Sequence, residues 1–102
     1  MNVKQQMIEE LRSELSRGEE LESIKDRSGE FIDSYLPIYN HEIMKEWQDM
    51  PGEYDDRGAQ EMGTDGSIGI VGLMSLDLYL YYSDIFNEAV ESVESELEEV
   101  NA

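Results

Sequence analysis

Val3, Met7, Leu11 and Leu15 recur every fourth residue, with Ile8 beside them. That spacing lays one apolar stripe along a helix over residues 3–17, and Gly18 stands where a left-handed C-terminal stop is wanted. Leu21 and Ile24 mark a helical fragment over residues 19–25. Ser28 can then cap a further turn or two through Phe31, Ile32 and Tyr35; alternatively, residues 19–35 form one helix with Gly29 inside it. Pro37 ends that segment and suits the first turn of the next. Ile43, Met44 and Trp47 predict a helix over residues 38–50, which Pro51-Gly52 breaks. Residues 51–67 are rich in Gly and Asp and hold no sustained period. They exceed the usual connection length, which points to a short internal helix or a functional surface loop.

From Ser67 to Val100 the pattern is helical again. Its first half is apolar nearly all round, from Ile68 to Leu80. Its second half has two faces. At about 100° per residue, Asp77, Asp84, Glu88, Glu91, Glu94, Glu98 and Glu99 fall within roughly 80° of Asp84. Tyr82, Phe86, Ala89, Val90, Val93, Leu97 and Val100 occupy the opposite side. The run LDLYLYY alternates briefly and offers a strand over residues 68–82, but the helical period continues past it without punctuation, so helix is preferred. The pattern leaves open whether residues 67–100 form one helix or two. The expected fold is all-α, a small bundle with a long C-terminal helix, in a single acidic domain over residues 1–102.

Charge changes the picture more than any motif does. The chain of 102 residues carries 25 Asp and Glu against 7 Lys and Arg, a formal net charge of −18. Such a surface argues against gripping nucleic-acid phosphates or an anionic membrane, since both need a positive face. Leu, Ile, Val and Phe total 24 residues, above the composition expected of a disordered acidic chain. Zero Cys excludes a disulfide framework and a thiolate metal site. Residues 58–102 contain ten acids and no Lys or Arg, so the C-terminal helix carries no compensating charge of its own. Self-repulsion on this scale in a small domain calls for extra burial, and a homodimer would supply it.

Candidate chemistry is thin. His41 is the one His and no nucleophile turn accompanies it, so no enzyme activity, no cofactor and no catalytic residue is expected. Asp55, Asp56, Glu61 and Asp65 could ligate calcium, but the EF-hand order is absent, and the acidic loop over residues 53–65 is expected to be solvated rather than a metal site. Gly66, Gly69 and Gly72 invite a phosphate cradle, yet Asp65 and Asp77 flank them and no cation follows. The N-terminal residues hold no continuous apolar run, with Glu9 and Glu10 where a signal peptide would be apolar. The apolar stretch over residues 68–82 is too short and interrupted to span a bilayer comfortably. Cytoplasmic location is the expectation.

The acidic stripe rises above this background. Ordinary exposed helices mix signs at i,i+4; this one does not. Asp84, Glu88, Glu91, Glu94 and Glu98 follow one another at about 4.5–6 Å along the axis, not far from the axial step of about 3.4 Å between phosphates of one DNA strand. Lys and Arg in a DNA groove pair with carboxylates much as with phosphates.

The order of segments resembles the overcome-classical-restriction (Ocr) proteins, small acidic phage products that mimic bent B-form DNA and inhibit type I restriction–modification enzymes. The residues that carry the resemblance are the acidic amphipathic segment from Glu19 to Trp47, its Leu36-Pro37-Ile38-Tyr39 step and the following Ile43-Met44. To these are added the run from Ile68 to Val100, ending Glu94-Ser95-Glu96-Leu97-Glu98-Glu99-Val100. This chain is less acidic, richer in Gly in its loop and without an acidic extension after residue 100. The resemblance implies a bent C-terminal helix and a DNA-binding host enzyme as partner, in the cytoplasm of an infected cell, with no direct contact to nucleic acid or membrane. It also implies a homodimer joined through Ile43, Met44 and Trp47. The expected partner surface is Asp77, Asp84, Glu88, Glu91, Glu94 and Glu98, with Glu53, Asp55 and Asp56 from the loop and Glu19, Glu20 and Asp26 from the second segment. Two other classes compete: an adaptor that docks a partner through an apolar face, its acidity serving solubility alone, and a metal-binding protein using the 53–65 loop.

Overall fold

A computed structural model describes residues 2–54, Arg57 and residues 69–101, with side chains through Glu99. Among these residues the chain is all-α: α1 (Val3–Ser16), α2 (Leu21–Asp26), α3 (Ser28–Asp33), α4 (Asn40–Asp49), a 3-10 turn (Gly52–Tyr54) and α5 (Gly69–Asn101). No strand occurs among them. α5 is one helix of 33 residues, so the brief alternation at LDLYLYY does not become a strand; the 3.6-residue period runs unbroken through it.

Local signals account for the first element. The Asn2 side chain accepts a hydrogen bond from the Gln5 backbone N–H at 2.8 Å, satisfying a donor left open by the first turn. At the other end Gly18 takes φ +95°. Its N–H donates to the Leu15 carbonyl and the Glu19 N–H donates to the Glu14 carbonyl, which is the Schellman pairing. Residues 19–35 do not form one helix: Arg27, at φ −107° and ψ 27°, separates α2 from α3. Pro37 lies between elements rather than in the first turn of α4, which begins at Asn40.

The chain divides into two compact units, Met1–Phe31 with Asp84–Ala102, and Ile32–Ser83. In the first, Met7, Ile8 and Leu11 of α1 and Ile24 of α2 are buried, as are Ile85, Phe86, Ala89, Val90 and Val93 of α5. The rings of Phe31 and Phe86 stand 5.1 Å apart. Lys4 reaches Glu88 and Arg12 reaches Glu96. The contacts advance by equal steps on both helices, so α1 runs parallel to this part of α5. The apolar face expected of α5 is buried as far as Val93, and Leu97 is 41% exposed. In the second unit Ile32, Ile43, Tyr54, Leu78 and Tyr82 are buried, and the Tyr81 ring lies tilted against those of Tyr54 (centroids 5.0 Å apart) and Tyr82 (5.7 Å).

Candidate functional site

Most of the expected acidic surface falls in the first unit. Asp84, Glu88, Glu91 and Glu98 of α5 are exposed, as are Glu19, Glu20 and Asp26. Glu94 is half-buried. Their environments differ in ways that the helical angle alone does not disclose, because cations from α1 and α2 lean onto α5. Lys4 Nζ lies 3.9 Å from Glu88 Oε2. Lys25 Nζ lies 3.4 Å from Glu94 Oε1 and 3.5 Å from Glu22 Oε1. Arg12 donates from Nε to Glu96 Oε2 at 3.0 Å and from Nη2 to Glu96 Oε1. The Arg12 hydrogen bonds hold the Glu96 carboxyl below its ordinary pKa, and Glu96 raises that of Arg12 in return. The Lys25 ammonium is raised by the charge of Glu22 first and by its hydrogen bond to Glu94 next.

The remaining cations of this unit are also tied. Arg17 pairs with Glu14, and Arg27 Nη2 with Glu19 Oε2 at 3.1 Å. All five Lys and Arg of the unit therefore face a carboxylate. Against them stand fifteen Asp and Glu, a net −10. Glu91, Glu98 and Glu99 make no ion pair among the described residues, and Glu9 and Glu10 add exposed acids on α1 that the stripe did not anticipate.

The second unit corrects two expectations. Asp77 does not belong to an exposed array: it is 2% exposed and accepts a hydrogen bond from Trp47 Nε1 at 2.8 Å. Its helical angle resembles that of Asp84, but α4 covers it. The trio Ile43, Met44 and Trp47 is likewise not a free surface. Ile43 is 7% exposed because it fills the core of its own unit, and Trp47 is half-buried with its indole committed to Asp77. Met44 is exposed at 42%, and Ile38 at 85% and Tyr39 at 63% are more exposed still. These follow the Pro37 break, where no periodicity marks an inward or outward face. Glu53 is exposed in the 3-10 turn. Asp55 and Asp56 lie outside the described residues, as do Glu61 and Asp65.

Glu46, next to Trp47 on α4, accepts a hydrogen bond from the Tyr82 hydroxyl at 2.7 Å. Burial, then this bond, raises the Tyr82 phenol above its ordinary pKa. Trp47, Gln48, Met50, Pro51 and Gly52 line a hollow of 230 Å³, below the roughly 300–1,000 Å³ of ordinary ligand pockets. Among the described residues no three His, Asp or Glu converge as metal ligands, and no helix is long and apolar enough to cross a membrane. The fold and the surface thus define a strongly acidic, all-α protein. No family model, no curated protein and no solved structure matches the chain.

Proposed function

We propose that the protein is a non-catalytic mimic of the charge of DNA, and that it occupies the DNA groove of a host defence enzyme. The first target to test is a type I restriction–modification complex, in the cytoplasm of an infected cell. The observation that carries this reading is the closed cation account of the first unit. Every Lys and Arg there faces a carboxylate of the same unit, so the charge left to a partner is wholly negative. A groove lined with Lys and Arg meets carboxylates that it can hold as it holds phosphates. Many exposed contacts, each worth about 1 kcal/mol or less, then add to a firm but salt-sensitive complex.

The deciding measurement is competition between a labelled duplex and this protein for a purified type I restriction–modification enzyme, read at two salt concentrations. The protein displaces the duplex, more weakly at the higher salt. The variant Asp84→Asn/Glu91→Gln/Glu98→Gln keeps the buried face and the lysine pairs but loses most of that competition. Unchanged competition by the triple variant would sink the proposal.

A second reading has its own support. Ile38, Tyr39 and Met44 are exposed together on one short stretch, the kind of patch that docks an apolar partner. Within the mimic, the same patch would join two copies and supply the burial that −18 per chain calls for. Sedimentation distinguishes the two: a dimer that Met44→Arg converts to monomer supports self-association, and a wild-type monomer at micromolar concentration leaves the patch to another protein.

A further inference from the structure

We draw no further inference here: the strongest candidate, the exposed apolar surface patch of Ile38, Tyr39 and Met44 around the start of α4, carries nothing beyond the docking reading already given, because nothing in the structure shows what covers it.

Discussion

Asp77 and Trp47 are thirty positions apart and meet at 2.8 Å. A carboxylate 2% exposed is tolerable only when hydrogen-bonded, and the indole N–H, which can only donate, suits it. Asp77→Ala leaves that donor without its acceptor and costs about 1–3 kcal/mol. Urea denaturation followed by the fluorescence of Trp47, the one Trp of the chain, measures it. The same variant competes with duplex as well as wild type, because Asp77 is not on the surface. Tyr82 gives a second residue-scale expectation with a pH signature. Burial and the Glu46 carboxylate keep its hydroxyl protonated in the fold, whereas an unfolded tyrosine ionises near pH 10. Its contribution is therefore complete below about pH 10 and is lost as the pH rises above that value. Tyr82→Phe lowers stability at neutral pH by about 1.5–3 kcal/mol, as for a hydrogen bond to a charged group. It also flattens the fall in stability above pH 10, which denaturation at a series of alkaline pH values reads directly.

The elements themselves were largely legible. α1 follows from the four-residue recurrence of Val3, Met7, Leu11 and Leu15, and its end from Gly18. A Cβ built on Gly18 meets nothing within 4 Å, so the demand for glycine is purely one of backbone angle. Gly18→Ala costs about 1–2 kcal/mol in left-handed strain, while D-alanine introduced at the same position by chemical synthesis does not; thermal melts of the two proteins separate these outcomes. α5 was legible as a period and less so as an extent, because its first half is apolar on every side and offers no contrast between faces. The α2–α3 break at Arg27 was one of two arrangements that the sequence allowed. Helix propensities are weak priors, and tertiary packing chose between a broken and a continuous helix.

At the scale of the molecule, 25 acids against 7 bases mean that repulsion outweighs the cross-helix pairs in sum. Shortening the Debye length from about 30 Å at 0.01 M salt to about 8 Å at 0.15 M weakens both, but it weakens the more numerous like-charge terms most. The melting temperature accordingly rises with salt over this range, by about 5 °C for roughly 1 kcal/mol in a domain of this size. A fall instead would show that the pairs of Lys4, Arg12 and Lys25 dominate. Addition of salt thus strengthens the fold while it weakens the proposed complex, and the two effects are read separately by calorimetry and by duplex competition.

The sequence by itself determined the helical class, the cap and stop of α1, the two-faced period of α5 and the excess of negative charge. Each of these is a local property, repeated within one or two helical turns or summed over the composition, and needs no knowledge of what lies across the fold. Tertiary structure decided which carboxylates are buried, which are exposed and which meet a cation from another helix. Asp77 and Asp84 sit two turns apart at nearly the same helical angle, yet one is sealed by Trp47 and the other is exposed. Glu94 and Glu96 are neutralised by Lys25 and Arg12, which lie 69 and 84 positions away. Ile43 turned inward and left Met44, Ile38 and Tyr39 outside. Burial and ion pairing depend on contacts between residues far apart in the chain, and helical periodicity carries no information about which distant cation arrives beside a given acid.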